Sequence, residues 1–278
     1  MSSLTGKVAL VTGAASKRGM GHAIALRLAR EGAAVVVTDK FAAPKSLFPG
    51  DEGWGGLDAI VAEIEALGGK ALAATMDVSV NKEIEAVVTR TLEKFGRIDI
   101  LVHAGAIRGP VGIPVTDLSE KDIRNIIDVD LIASFLICKT AARSMIAGGE
   151  GGKIVIICSG AGTKGVPGSA AYAAAKAGCI SLTRSLALEL AKYHVNVNGI
   201  NPQMFVTNLR DESFARMAEA AGITWEEARK KDQDALAKMI PWGRLGTAEE
   251  IADLALFLVS DQSRYMTGEV IVLGGGVT

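Results

Sequence analysis

The sequence predicts an α/β fold: a doubly wound parallel sheet of seven strands flanked by helices, plus a helical lid. Two observations carry this. Short apolar runs alternate with helix-period segments along the whole chain. The first run also leads directly into a glycine loop, a helix, and a second run that closes on an acidic residue. The pattern reads as one domain over residues 1–278.

Taken in order, Lys7-Val-Ala-Leu-Val-Thr12 opens a strand near 7–13, and Gly13-Ala-Ala-Ser-Lys-Arg-Gly19-Met-Gly21 follows at once. Ile24, Leu26 and Leu28 mark a helix near 20–31 that ends at Gly32, and Ala34-Val-Val-Val-Thr38 gives a strand near 34–39 closing on Asp39. Phe41 to Gly56 is longer than an ordinary connection and holds Pro44, Pro49 and four glycines, so 41–56 is an insertion. Its place after Asp39 predicts that it folds over the adenine half of a nucleotide; the alternative is a surface excursion. Strands near 70–76, 99–103, 152–158, 194–201 and 268–273 alternate with helices near 56–68, 80–96, 119–148, 170–193 and 247–260. Residues 208–242 form the lid, with helices near 209–220 and 224–240. Ser119 with Asp122, and Thr224 with Glu227, have capping-box spacing.

The chemistry lies in Tyr172-Ala-Ala-Ala-Lys176, with Ser159 thirteen residues ahead of the tyrosine. Four residues are one helical turn, so phenol and ammonium share a face. A free tyrosine is a poor acid or base at neutrality, and a fixed cation beside it favours the phenolate. Ser159 closes a buried strand at its carboxyl end, where open α/β sheets bind ligands. Ser159 then fixes a substrate oxygen, Tyr172 exchanges its proton, and Lys176 tunes Tyr172. At the other end, the glycines allow a tight turn, the helix amino terminus receives a pyrophosphate, and Asp39 accepts from ribose hydroxyls.

Together these pieces resemble the short-chain dehydrogenase/reductase family, in its compact branch with the Rossmann fold. The resemblance covers essentially the whole chain. It rests on Thr12-Gly13 with Gly19 and Gly21, Asp77-Val78, and Ser159 with Tyr172 and Lys176. Asn198-Gly-Ile-Asn-Pro202 with Thr207, and Thr267-Gly268-Glu-Val-Ile-Val, complete it. It implies an oxidoreductase that moves hydride between NAD and a secondary alcohol or ketone. The implied cofactor residues are Gly13, Ser16, Gly19, Met20, Gly21, Asp39, Asp77, Val78, His103, Tyr172, Lys176, Pro202, Val206 and Thr207. Asp77 would lie beside adenine, Val206 and Thr207 at the nicotinamide, and Lys176 on the nicotinamide ribose. An enoyl reductase of the same superfamily would separate tyrosine and lysine by more than four residues. The resemblance also implies a homotetramer, or failing that a dimer, paired through the helices near 119–148 and 170–193, with the carboxyl-terminal strand as a second contact.

Four departures from the family pattern stand out. The glycine loop is two residues longer than usual and carries Lys17 and Arg18, cations suited to the 2′-phosphate of NADP; Asp39 repels that phosphate, and NAD is favoured. The usual Asn-Asn-Ala-Gly appears as His103-Ala-Gly-Ala106, by replacement or by deletion, with His103 expected along the adenosine side. The fourth catalytic position, an asparagine in the family, falls on Asp130. Its charge would pair with Lys176 and weaken the help given to Tyr172; protonated, or bonded to backbone, it would change little. Finally, Pro202-Gln203 replaces Pro-Gly and sets an amide at the pocket mouth, turned to a polar substrate or to solvent. Asp130, His103 and Gln203 motivate the alternative of a non-catalytic nucleotide-binding subunit that supports a partner.

The apolar fraction is 49% and the net charge −1, which gives no reason to expect nucleic acid or a charged membrane surface. Cys138, Cys158 and Cys179 are scattered without metal-ligand spacing, as in a reduced cytoplasmic protein with no metal. No apolar stretch reaches a membrane span, and no secretory signal is seen. In the lid, Phe214, Met217, Ile223, Trp225, Leu236 and Met239 supply an apolar face. Arg216, Arg229, Lys230, Lys231 and Lys238 are either a solvated face or, turned inward, a site for a carboxylate, phosphate or acyl-CoA.

Overall fold

The computed structural model describes residues 4–278. Seven parallel strands form one sheet in the order β3-β2-β1-β4-β5-β6-β7. They are β1 (Val8–Thr12), β2 (Ala34–Asp39), β3 (Ala71–Thr75), β4 (Ile100–His103), β5 (Gly152–Ile157), β6 (Val195–Pro202) and β7 (Val270–Leu273). Strand alternation divides the core into two layers. Ala9, Val11, Val35, Val37, Ile100, Val102, Val155 and Ile157 face α1 (Met20–Arg30), α2 (Leu57–Ala66) and α9 (Ala248–Val259). Leu10, Val36, Leu101, Ile154 and Ile156 face α3 (Asn81–Phe95), α5 (Ala133–Gly148) and α6 (Ala170–Leu190). Both faces are covered, which is why the strands read as unbroken apolar runs.

The strand order reverses between β1 and β4, since β1 pairs in parallel with β2 on one side and β4 on the other. A crevice opens there at the carboxyl ends of the strands. Gly13 sits in the left-handed region at φ +67°, and a Cβ on it would meet the Ala104 carbonyl at 2.7 Å. The two strand ends can approach so closely only with glycine at this turn.

The expected helix over 119–148 is interrupted. A π-helical turn, Asp128–Ile132, separates α4 (Glu120–Ile127) from α5. Asp130 lies within it and is fully buried. Its carbonyl accepts from Ser134 Oγ at 2.9 Å and from Cys179 Sγ at 3.1 Å. The bulge therefore has partners on its own helix and on α6.

Ser119 caps α4 by accepting from the Asp122 amide, and Thr224 with Glu227 forms a full capping box on α8 (Trp225–Ala237). A second full box, Thr247 with Glu250, starts α9, a spacing the sequence also carries. The lid pairs α8 with α7 (Asp211–Ala221) around Phe214, Ala218, Trp225 and Ala228. Met217 and Met239, expected on its apolar face, are exposed instead.

Candidate functional site

At the carboxyl end of β5 the chain makes a short 3₁₀ turn, Gly160–Gly162, and Ser159 caps it by accepting from the Ala161 amide at 3.3 Å. The Ser159 O–H stays available to donate. Gly162 brings this turn against α6: a Cβ there would lie 2.7 Å from the Lys176 carbonyl carbon. Nothing in the sequence reading singled out Gly162, yet it is what seats Ser159 beside Tyr172 and Lys176.

Tyr172 and Lys176 face the same cleft from the first turns of α6. The ammonium lies 5.7 Å from the Tyr172 ring centroid. Lys176 is 3% exposed and donates to the Ile157 carbonyl at 3.3 Å, leaving further N–H groups for a ligand. Burial opposes its charge, but Tyr172 and Asp130 outweigh burial and hold the lysine above its ordinary range. Lys176 is therefore a permanent cation beside the phenol.

Asp130 and Lys176 form no ion pair. Asp130 Oδ1 accepts from the Ile107 amide at 2.8 Å, and Oδ2 is buried without a partner. Burial pushes the Asp130 carboxyl up, against the pull of Lys176 and of the Ile107 N–H. Of the two roles left open for Asp130, the backbone-bonded one is present.

His103 is buried behind the cleft wall and does not line the cleft, contrary to the expectation that it borders adenosine. Its Nδ1 lies 2.8 Å from Thr12 Oγ1. That oxygen already accepts from the amides of Ala104 and Gly105, both at 3.1 Å, so its one proton goes to Nδ1. His103 is thus the Nε2–H tautomer, with that N–H buried and unpartnered. Burial, aided by the Lys176 charge, pushes its pKa down to about 3.

At the nucleotide end, Asp39 Oδ2 accepts from the Ala15 amide at 3.0 Å and Oδ1 from the Lys40 amide at 2.8 Å. Burial raises this carboxyl, against those two bonds. The amino terminus of α1 has Gly19 as its cap, with no side-chain bond and no acid in the first turn, so it suits an anion. Lys17 and Arg18 are not free. Lys17 donates to the Gly50 carbonyl at 2.8 Å; Arg18 pairs with Asp51 at 2.6 Å and Asp211 at 2.7 Å. Trp54 Nε1 donates to the Ala15 carbonyl at 2.7 Å. The 41–56 insertion therefore packs on the back of the glycine loop.

A family model described as enoyl-(acyl carrier protein) reductase matches residues 13–278. A 3-oxoacyl-[acyl-carrier-protein] reductase of Thermotoga maritima is 36% identical over 275 residues, 99% of this chain and 98% of that one. The chain belongs to the short-chain dehydrogenase/reductase family. Two solved structures of the family superpose closely. Levodione reductase gives a TM-score of 0.85 at 31% identity over 98% of this chain and 97% of its own. NAD+-bound xylitol dehydrogenase gives 0.83 at 29% identity over 98% and 99%. The short-chain dehydrogenases and reductases are oxidoreductases acting on alcohols and ketones with a nicotinamide cofactor.

Within that family frame, one cleft of about 580 Å³ gathers Gly13, Ser16, Gly19, Met20, Asp39, Ser159, Tyr172, Lys176, Pro202, Gln203 and Thr207. Five expected residues lie off its wall besides His103. Gly21 presses beneath the Gly13 backbone, and Asp130 is buried behind the loop after β4. Asp77 and Val78 follow β3, where Asp77 pairs with Lys40 at 2.6 Å. Val206 has its amide tied to the Gly246 carbonyl at 2.9 Å. The lid cations expected as a possible anion site, Arg216, Arg229, Lys230, Lys231 and Lys238, are absent from the lining, which instead contains Arg108, Lys164 and Arg210. Among the described residues no cluster fits a metal ion, and no helix is long and apolar enough to cross a membrane.

Proposed function

We propose that the protein is an NAD(H)-dependent alcohol dehydrogenase or ketoreductase of this family. The observation that carries the reading is Ser159, Tyr172 and Lys176 on one cleft whose far end is closed by Asp39. Nicotinamide, when bound, supplies or accepts the hydride at the carbinol carbon. Ser159 donates its free O–H to the substrate oxygen. Tyr172, whose hydroxyl has no partner among the described residues, gives that oxygen a proton in reduction and takes it in oxidation. Lys176 supplies positive charge to the phenolate and its remaining N–H groups to the nicotinamide ribose. The four-residue tyrosine–lysine spacing favours a carbonyl over an enoyl substrate, whatever the name on the matching family model.

NAD is the cofactor this cleft suits. Asp39 faces the nucleotide end, and the cations that would attract a 2′-phosphate are already held by Gly50, Asp51 and Asp211. The residues that would hold NAD are Gly13, Ser16, Gly19, Met20, Asp39, Lys176 and Thr207, with Asp77, Val78 and Val206 around them. Exposed Ile132 and Phe135 on the π turn and α5, and Leu188 on α6, fit a homotetramer. Three unpaired thiols, all buried, fit a cytoplasmic setting.

Titration with NADH and NADPH, followed by turnover of cyclic and aromatic ketones, tests this reading. Tighter NADH binding is expected, with turnover abolished by Tyr172→Phe while NADH still binds. NADH binding with no turnover of any ketone would favour the non-catalytic subunit instead.

A further inference from the structure

Besides Lys176, the cleft is lined by three cations, Arg108, Lys164 and Arg210, against a single carboxylate among the described residues. Asp39, the acidic residue on the lining, is at the nucleotide end. The three cations differ in their partners. Arg210 pairs with Asp232 at 2.6 Å. Lys164 is exposed and donates to Gln203 Oε1 at 3.3 Å. Arg108 is half-buried and, among the described residues, has no hydrogen bond, ion pair or ring contact.

An unpaired guanidinium in such a place is costly. Burial and the nearby Arg210 hold Arg108 below its ordinary value, with Tyr172 and Asp232 acting in the other direction. A second donor is unused on the same wall: Gln203 Nε2 is buried without a partner. Its site is the one where the family pattern has glycine, so the amide is an addition of this chain.

Packing links Arg108 to the catalytic tyrosine. Ile107 packs with Tyr172 and Ile126, and its amide is clamped by Asp130 at 2.8 Å. The next residue, Arg108, thereby follows directly on the tyrosine cluster, and Tyr172 is among the groups whose charge acts on it.

We propose that the substrate carries a carboxylate held by Arg108, so that the protein acts on a hydroxy acid and its oxo acid. One unpaired charge matches one carboxylate, and the planar fork of arginine matches its two oxygens. The inference rests on the alcohol–ketone reading above. In reduction, hydride adds to the carbonyl carbon and the C=O π pair moves to oxygen, which takes the Tyr172 proton. The carboxylate is unchanged and serves only to orient.

The test pairs 3-oxobutanoate, 4-oxopentanoate and 4-acetylbenzoate with their methyl esters, in the native protein and in Arg108→Gln. A lost charged hydrogen bond corresponds to about tenfold or more in affinity. The expected result is a carboxylate preferred at least about tenfold over its ester. In Arg108→Gln that preference should vanish through KM, while NADH binds as before. Equal use of acids and esters by the native protein overturns the proposal and leaves the dehydrogenase reading intact. Weaker NADH binding in Arg108→Gln also overturns it, since the guanidinium would then serve the cofactor. If nothing turns over, the dehydrogenase reading fails, and calorimetry of 4-acetylbenzoate with the NADH complex decides the rest. Binding that Arg108→Gln removes sustains the carboxylate site, and binding that is absent or unaltered overturns it. Arg108→Lys, which keeps the charge without the fork, should restore part of the preference.

Discussion

Arg18 of the glycine loop and Asp211 at the start of the lid, 193 residues apart, are joined by an ion pair of 2.7 Å. Arg18 also holds Asp51 of the insertion and lies 5.6 Å from the Trp225 ring of the lid. Phe48 stacks on that indole at 5.9 Å. One guanidinium thus ties the nucleotide loop, the insertion and the lid together. Asp211 is nearly buried, and burial raises its carboxyl even with Arg18 beside it. Arg18→Ala would strand two buried carboxylates, at a cost of about 1–3 kcal/mol. Urea unfolding should show that loss, limited proteolysis should cut the 208–242 segment sooner, and KM for cofactor and substrate should rise together. A rise in only one of them would show that the guanidinium does not couple the two sites.

Asp39→Ala should weaken NADH binding without a matching gain for NADPH. Read from the sequence alone, Lys17 and Arg18 would welcome a 2′-phosphate once the carboxylate is gone. In the structure both already have partners, and those of Arg18 include two carboxylates. Adding Asp51→Ala to Asp39→Ala should loosen Arg18 and produce the NADPH gain that the single change lacks. Dissociation constants for both cofactors across the two variants check this, and a large gain in the single variant would count against it.

The nucleotide crevice was legible because it is local: a strand, a glycine turn, a helix and a second strand occupy consecutive residues, and Tyr172 and Lys176 lie one turn apart. The missed features depend on distance or on a single extra residue. The π turn at Asp128–Ile132 leaves no mark in composition, since a bulged helix keeps nearly the same apolar pattern. Arg108 looks like any loop residue among glycines and a proline until Asp130 is seen to clamp Ile107. Lys17 and Arg18 suggested a phosphate site because their partners, Gly50, Asp51 and Asp211, lie 33 to 193 residues away.

His103 should make the protein acid-sensitive. Its pKa is about 3 in the folded state and near ~6.5 when exposed. A depressed histidine contributes stability above pH ~6.5 that is lost as the pH falls toward 3, because the unfolded chain takes the proton first. The loss should be on the order of a few kcal/mol by the acid end of that window. His103→Asn keeps an acceptor for the Thr12 hydroxyl and removes the titration. Urea midpoints at pH 7.5 and pH 5 should fall farther apart in the native protein than in the variant. Equal differences would mean that His103 is not held neutral.

Asp130 acts on the site in two opposed ways, and Asp130→Asn separates them. The asparagine can still accept from the Ile107 amide, so the loop bearing Arg108 should keep its place, and KM should hardly change. The negative charge is what goes. Burial raises the folded carboxyl pKa, so stability tied to this group is full below its unfolded value and declines as the pH rises through the folded one. The variant should therefore gain stability relative to the native protein as pH climbs out of the acid range. The same charge, once formed, offsets the Lys176 field that favours the Tyr172 phenolate. Its removal should move the rising limb of the pH–rate profile for alcohol oxidation to lower pH and raise the rate near neutrality. At pH values where Asp130 is protonated the two proteins should coincide, because neutral aspartate and asparagine then differ little. Superimposable profiles at every pH would show that Asp130 acts only through its bond to Ile107, as a positioning residue for the wall that faces the substrate.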